Sequence, residues 1–232
     1  MNFKEHLQNI NINLTDQMEN QFKTYYDFLV YYNEMVNLTA ITDFEGVYMK
    51  HFYDSLTLST AFDLTKPVKC CDVGAGAGFP SVPNAICFPN FNVTIIDALN
   101  KRIKFLNELT QKLGISNVVA LHQRAEEHAA KFRESYDICT ARAVARLNVL
   151  SELCLPLVRV GGYFLAMKSQ ETEEELKEAM VAIKTLGGQV ESIKTCDLPD
   201  NLGSRTIVVI KKVKVTPKKY PRAFAQIKNK PL

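Results

Sequence analysis

At residues 71–80 the chain reads Cys71-Asp72-Val73-Gly74-Ala75-Gly76-Ala77-Gly78-Phe79-Pro80, a glycine-rich run at the end of the mostly apolar residues 68–73. The apolar residues predict a short buried strand. Because glycine has no Cβ, the alternating glycines allow a tight turn and a close approach of the backbone to a ligand. A turn of this kind at the carboxyl end of a parallel strand predicts a nucleotide-binding loop.

The spacing of the glycines separates two classes of cofactor. A dinucleotide fingerprint, G-x-G-x-x-G, would need glycine where Phe79 stands, whereas Gly78 comes one residue early. The pattern acidic-x-Gly-x-Gly-x-Gly instead resembles the first motif of S-adenosylmethionine-dependent methyltransferases. Asp97 ends the next apolar run, so its carboxylate is placed to accept hydrogen bonds from both ribose hydroxyls of an adenosine. The alternative is a glycine-rich turn that binds no ligand.

Length and composition favour one α/β domain with an appendage, or at most two small domains, since the chain has 232 residues of which 47% are hydrophobic. No long uncharged apolar segment and no signal-peptide pattern occur, so we expect a cytoplasmic protein without a membrane span. The six cysteines and four histidines show no metal-ligand spacing, so we expect neither disulfides nor a metal site. We also expect a monomer.

Positive charge is concentrated at the C-terminal end. Nine Lys or Arg and no acidic residue lie between Arg205 and Leu232, so this segment carries +9. The total charge is +3, which leaves +3 − 9 = −6 for the remainder. A basic face of this kind suits an anionic polymer such as RNA, and the alternative is a tail that only improves solubility.

Three parts follow from the order of the predicted elements. Residues 1–62 predict an N-terminal helical extension, residues 63–213 alternate strands with helices, and residues 214–232 predict a loosely ordered basic tail. The alternation indicates a Rossmann-like α/β fold with a seven-stranded, mostly parallel sheet and one antiparallel strand near an edge. The predicted strands are 68–73, 92–97, 118–121, 136–140, 163–167, 189–195 and 206–213.

The carboxyl ends of these strands should gather the ligand-binding residues. Beyond the glycine loop they are Asp97, Ala125 with Glu126 beside an adenine, and the cations Arg142 and Lys168. The two cations suit a phosphate or a carbonyl oxygen, or else form structural ion pairs. Phe79 either forms a wall of the site or belongs to the core.

Two polar groups in the N-terminal extension are also candidates. His51 and Asp54 lie one helical turn apart, so Asp54 could orient the imidazole, although a lone surface histidine is the commoner case. Asn37 stands in a polar connection between two helices, where capping a helix end is the simplest role.

Several motifs taken together resemble the bacterial glucose-inhibited division protein B family (RsmG) over nearly the whole chain. The resemblance rests on segments spread along the sequence: Asn37-Leu38-Thr39-Ala40-Ile41, His51-Phe52-Tyr53-Asp54-Ser55-Leu56, Asp72 to Pro80, Asp97-Ala98-Leu99-Asn100-Lys101-Arg102, Arg124-Ala125-Glu126-Glu127, Ala141-Arg142-Ala143-Val144-Ala145 and Lys219-Tyr220-Pro221-Arg222. The chain departs from the family pattern at Ser81, at Arg146 and in Ala223-Phe224-Ala225-Gln226.

The resemblance implies a class I methyltransferase fold and transfer of a methyl group from S-adenosylmethionine to N7 of a guanine in the decoding-region loop of 16S ribosomal RNA. It implies that the cofactor contacts Gly74, Phe79, Ala125, Glu126 and Arg142. To these the glycine-loop pattern adds Asp72, Gly76 and Gly78, and the position at a strand end adds Asp97. It places Asn37, His51 and Lys168 around the substrate, and the positive charge of Arg142 or Lys168 also suits guanine O6. The implied partner is 16S RNA or the small ribosomal subunit.

The implied chemistry agrees with the residues, because guanine N7 is an unprotonated acceptor and needs no base to act as a nucleophile. The chain lacks the Asn/Asp-Pro-Pro-aromatic motif of exocyclic-amine methylation and the Pro-Cys pair of cytosine-C5 enzymes. Three other functions remain open on this evidence: a small-molecule methyltransferase, a nicotinamide-dependent oxidoreductase and a ribosome-associated binding protein without catalytic activity.

Overall fold

A computed structural model describes residues 3–169 and 173–232. Its centre is a seven-stranded sheet. The strands are β1 (Val68–Val73), β2 (Phe91–Asp97), β3 (Val118–His122), β4 (Tyr136–Arg142), β5 (Val158–Lys168), β6 (Gly188–Asp197) and β7 (Ser204–Lys212). The strand order is β3-β2-β1-β4-β5-β7-β6. The first five strands are parallel, and β7 pairs antiparallel with both β5 and β6.

This order places a topological switch point beside β1. The chain runs outward from β1 to β3 and then returns to β4, so the loops after β1 and β4 diverge at the carboxyl edge. Such a divergence opens a crevice in which ligands of doubly wound folds bind. The glycine loop follows β1 and Arg142 ends β4, so both lie at this crevice.

Helices cover both faces of the sheet. Between the strands they are Ser81–Cys87, Asn100–Leu113, Ala125–Lys131, Leu147–Cys154 and Glu173–Thr185. The sequence predicted most of them, but it treated residues 123–127 as a loop. That prediction is wrong at Ala125–Lys131, a short helix whose composition is too polar to show an apolar period.

The N-terminal region is helical and packs on one face of the sheet. It comprises Phe3–Gln8, the long helix Asp16–Val36 and a helical stretch over residues 44–61 that contains a π-helical segment, Val47–Tyr53. Its aromatic side chains share one buried core with β1, β2 and the helix Asn100–Leu113. Because the core is continuous, the limit of this extension at residue 62 stays a prediction.

The C-terminal segment differs from the expectation of a loosely ordered tail over residues 214–232, which is wrong. The segment folds back on the opposite face of the sheet and contains a helix, Phe224–Asn229. Thr216, Tyr220 and Ile227 are buried there. The tail is ordered because its apolar side chains complete the second core cluster, a long-range contact that its basic composition conceals.

Residues 3–169 and 173–232 lack two features. No helix in these ranges is long and apolar enough to cross a membrane. They also contain no group of three or more His, Cys, Asp or Glu side chains that could hold a metal ion.

Candidate active site

The glycine loop after β1 adopts a conformation that requires glycine. Gly74, Gly76 and Gly78 all have positive φ angles, of 76°, 61° and 99°. A Cβ on Gly78 would lie 2.7 Å from the Tyr25 hydroxyl oxygen, so the missing side chain at Gly78 leaves room for Tyr25 of the N-terminal helix. A Cβ on Gly76 would meet no atom within 4 Å, so this glycine faces open space.

That open space is a cavity of about 470 Å³ at the carboxyl ends of β1, β2 and β4. Its volume is in the ordinary range for small-molecule sites. Seven of the residues predicted to bind the cofactor line it: Gly74, Gly76, Phe79, Asp97, Ala125, Glu126 and Arg142. The structure therefore brings together the main part of the predicted cofactor site.

Two predicted cofactor residues, Asp72 and Gly78, lie outside the described lining of this cavity and contact the protein interior instead. Asp72 is fully buried and accepts a hydrogen bond of 2.5 Å from the Ser81 hydroxyl. Burial raises the pKa of Asp72 to about 7, whereas the Ser81 hydroxyl and the charge of Arg142 favour its ionised form.

Asp97 ends β2 and directs its carboxylate into the loop region. Oδ1 accepts a hydrogen bond from Leu99 N at 2.9 Å, and Oδ2 accepts from Arg102 Nη1 at 3.1 Å and from Gly76 N at 3.4 Å. The side chain is held in place on three sides and still lines the cavity. A fixed carboxylate beside an open glycine turn fits the hydroxyls of a ribose.

A second cavity, of about 340 Å³, adjoins the first. The two share His51, Arg142 and Ala143 in their linings. The other residues of the second lining include the cations Lys50, Lys168 and Arg205 and the buried carboxylate Asp54. A cofactor-sized cavity thus opens beside a smaller cavity rich in positive charge.

Arg142 forms the boundary between the two cavities. Its Nη1 donates to Asp54 Oδ2 at 2.9 Å, and its guanidinium carbon lies 4.9 Å from the centre of the Phe79 ring. Asp54 Oδ2 also lies 3.3 Å from Arg205 Nε. Asp54 does not orient the imidazole, the first of the two interpretations, because two guanidinium groups contact its Oδ2 instead. His51 is also not a lone surface histidine, since it is half-buried. The approach of Arg205 from β7 had no local signal in the sequence.

His51 is held as a neutral imidazole. Burial and the charge of Arg142 lower its pKa from 6.5 to about 3. Arg142 Nη2 lies 3.4 Å from Nδ1 and can only donate, so Nδ1 accepts and the ring proton belongs on Nε2. Nε2 lies 2.8 Å from the Thr39 hydroxyl, and the ring stacks on Phe79 at 4.6 Å. Sequence reasoning did not identify Thr39, which lines the first cavity.

The two remaining substrate candidates have different surroundings. Lys168 lines the second cavity, where Nζ lies 2.7 Å from Glu175 Oε1 and 3.0 Å from the Ala145 carbonyl oxygen. Asn37 lies outside the described linings of both cavities. It ends the helix Asp16–Val36 in a left-handed conformation, φ 53°, as its capping interpretation predicted.

Comparison with known proteins decides the family. A family model described as rRNA small subunit methyltransferase G, GidB, matches residues 18–207. The chain belongs to this family. The Ribosomal RNA small subunit methyltransferase G of Staphylococcus carnosus (strain TM300) is 54% identical, covering 98% of this chain and 96% of that protein. The protein of the same name from Staphylococcus aureus (strain Newman) is 56% identical, covering 94% of this chain and 92% of its own.

Solved structures related to this GidB family member show the fold. TrmN from Thermus thermophilus has a TM-score of 0.56 at 18% identity, covering 72% of this chain and 53% of its own. A SAM-dependent O-methyltransferase from Thermotoga maritima has a TM-score of 0.55 at 14% identity, covering 71% and 67%. The predicted class I methyltransferase fold is confirmed, and S-adenosylmethionine is the cofactor of this family and fold. The open glycine turn and the fixed Asp97 carboxylate fit that cofactor.

Proposed function

We propose that this GidB family member transfers a methyl group from S-adenosylmethionine to N7 of a guanine in 16S ribosomal RNA, in the cytoplasm. The observation that carries the proposal is the pair of adjoining cavities, which share His51, Arg142 and Ala143. One cavity has the features of an adenosine site. The other has the cations that a nucleotide requires, and the shared residues mark where methyl donor and acceptor meet.

On the cofactor side, residues of this chain bind and orient S-adenosylmethionine. Asp97 accepts hydrogen bonds from the ribose hydroxyls, Ala125 and Glu126 lie beside the adenine, and the backbone of Gly74 to Gly76 approaches the amino-acid portion. S-adenosylmethionine, when bound, supplies a methyl group on a sulfonium, which the lone pair of guanine N7 can accept without a base. Correct placement of the two reacting atoms is the main demand, and it can supply roughly 7–11 kcal/mol.

On the base side, the cations hold the acceptor edge of guanine, where O6 and N7 lie next to each other. Arg142 and Lys168 donate to O6 or to a neighbouring phosphate, and Arg205 supports Arg142 through Asp54. His51 contributes no charge because its pKa is about 3. A neutral imidazole adds no third cation beside Arg142 and Lys168.

Asn37 fits this proposal least well. Asn37 ends a helix and lies outside the described linings of both cavities. We therefore propose that the left-handed backbone of Asn37 sets the path of the residues that follow it, including Thr39. Thr39, two positions later, lies within hydrogen-bond distance of His51 and lines the first cavity.

The test is to map 7-methylguanosine by mass spectrometry in 16S RNA after incubation with the protein and S-adenosylmethionine. Free RNA and small subunits that lack the modification serve as substrates. We expect one 7-methylguanosine with the natural protein and a much slower modification with Asp97→Ala when S-adenosylmethionine is limiting. Asp27→Ala, which changes an exposed acidic residue on the N-terminal helix, should behave like the natural protein. Loss of the Asp97 hydrogen bonds should weaken cofactor binding by about 1–3 kcal/mol, measured by isothermal titration.

Two results would contradict the proposal. Methyl transfer to a small molecule with unmodified RNA would favour a small-molecule methyltransferase. Specific binding to the small subunit, with no modified base and an Asp97→Ala variant equally functional in cells, would favour a binding protein without catalysis.

A further inference from the structure

The C-terminal segment contributes an aromatic side chain to the cofactor cavity. Phe224 lines that cavity together with Gln123, Arg124, Ala125 and Glu126, the residues at the carboxyl end of β3 and the start of the next helix. Its ring is half-buried, and the Arg124 guanidinium carbon lies 5.4 Å from the ring centre. The segment whose charge suggested either RNA binding or a solubilising tail thus reaches the end of the cavity next to β3.

The position of Phe224 is fixed on its N-terminal side by a buried carboxylate. Glu152 has no exposed surface. Its Oε1 accepts hydrogen bonds from Arg222 N and Nε, each at 2.9 Å, and its Oε2 accepts from Arg222 Nη2 at 2.6 Å. On the other side Ile227 is fully buried in the core cluster under the sheet. Phe224 therefore stands between two anchors, three residues or fewer from each.

Two cations, Lys212 just before the segment and Arg222 within it, hold the segment to the protein. Lys212 is fully buried, with Nζ 2.6 Å from the Leu155 carbonyl oxygen and 3.1 Å from Glu134 Oε1. Arg222 is bound to Glu152. These contacts fix the chain on both sides of residues 214–221. The segment's other cations are exposed: Lys214, Lys218, Lys219, Lys228 and Lys230.

We propose that Phe224 contacts the adenine of bound S-adenosylmethionine and forms the wall of the cofactor site at its adenosine end. The proposal rests on the function proposed above, because it requires that this cavity bind an adenosine. An aromatic ring offers a flat apolar surface to a purine, and the Ala125 side of the cavity supplies an apolar neighbour. Phe224 is a cofactor-binding residue on this account, and Arg222 positions it.

The test is isothermal titration of the full-length protein with S-adenosylhomocysteine and with 5′-methylthioadenosine, which share the adenosine and differ in the amino-acid portion. We expect Phe224→Ala to weaken both ligands by a similar factor, about tenfold, since stacking of a base on an aromatic side chain is a substantial contact. Phe224→Tyr, which keeps the ring, should remain within about twofold of the natural protein. Gln226→Ala, on the exposed side of the same helix, is the matched control and should leave both affinities unchanged.

The outcomes separate this proposal from the proposed function. Equal affinity of Phe224→Ala and the natural protein for both ligands overturns the contact, and so does a loss confined to S-adenosylhomocysteine, which would place Phe224 away from the adenine. If neither ligand binds the natural protein, the proposed function itself fails. Urea unfolding of each variant without ligand shows whether Phe224→Ala is folded. The dissociation constants of Phe224→Tyr and Phe224→Ala are then compared at equal concentrations of folded protein.

Discussion

Removal of one hydroxyl from the N-terminal helix should loosen the glycine loop. Tyr25 is fully buried, its hydroxyl donates to the Ala77 carbonyl oxygen, and its ring stacks on Phe79 at 5.5 Å. Tyr25→Phe keeps the ring and its packing but leaves the Ala77 carbonyl without this donor. A lost hydrogen bond costs about 1 kcal/mol, and a buried partner left unsatisfied costs about 1–3 kcal/mol, so we expect a loss of about 1–2 kcal/mol.

The same change should reach the cofactor, because Ala77 lies between Gly76 and Gly78 in the loop. A loop released from Tyr25 has to be ordered again when the cofactor binds. The affinity for S-adenosylhomocysteine should therefore fall by at most the same free energy, which corresponds to about five- to thirtyfold. Urea unfolding measures the first quantity and isothermal titration the second. With an m-value of about 3 kcal/mol/M, the midpoint in urea should shift by roughly 0.5 M.

Tyr26→Phe is the matched control. Its hydroxyl also donates to a backbone oxygen, that of Thr42 at 3.3 Å, but on the side of the helix away from the loop. This variant should lose less stability and keep its cofactor affinity. If Tyr25→Phe and Tyr26→Phe bind the cofactor equally well, the N-terminal helix does not hold the glycine loop and the reasoning is refuted.

Two further changes test buried charges. Burial raises the pKa of Asp72 from 3.8 to about 7, so the folded state holds a proton that the unfolded chain releases, and stability falls as pH rises between those values. Ser81→Ala removes the hydrogen bond that favours the ionised form of Asp72, so the loss in unfolding free energy relative to the natural protein should grow from pH 6 to pH 9. Ser151→Ala, a change at another buried serine, is the control and should show a loss that does not vary with pH. A constant loss for Ser81→Ala as well would contradict the pairing of Ser81 with Asp72. Arg222→Ala leaves Glu152 buried without its cation and should cost about 3 kcal/mol in urea unfolding, partly restored by Glu152→Gln; no restoration would disprove the pair.

The sheet and the cofactor loop could be predicted because their signals are local. Apolar runs mark the strands, glycines with positive φ mark the turn, and the rule of strand ends places Asp97 and Arg142 at one edge. The prediction did not include the strand order, which the structure supplies and which decides which strand ends are neighbours. The antiparallel strand was likewise signalled by the absence of a helix between β6 and β7.

The second cavity could not be predicted, since it depends on contacts between distant parts of the chain. Asp54 lies at the N-terminal extension and Arg205 on β7, and only the folded sheet brings them to 3.3 Å. The same holds for Phe224, which reaches the first cavity because Arg222 binds Glu152. The basic composition of the segment suggested a tail, because its exposed lysines outnumber the few buried side chains, Thr216, Tyr220 and Ile227, that hold it to the fold.

The two sites depend on each other through Arg142. A sheet of this class supplies the cofactor side alone, whereas His51, Asp54 and Lys50 of the second cavity come from the N-terminal helices. Arg142 stands at the end of β4 but is held by Asp54, so the N-terminal helices fix a side chain that also lines the cofactor cavity. A displacement of those helices would therefore disturb both cavities. We therefore expect methyl transfer to require the extension, because its Asp54 holds the side chain that the two cavities share.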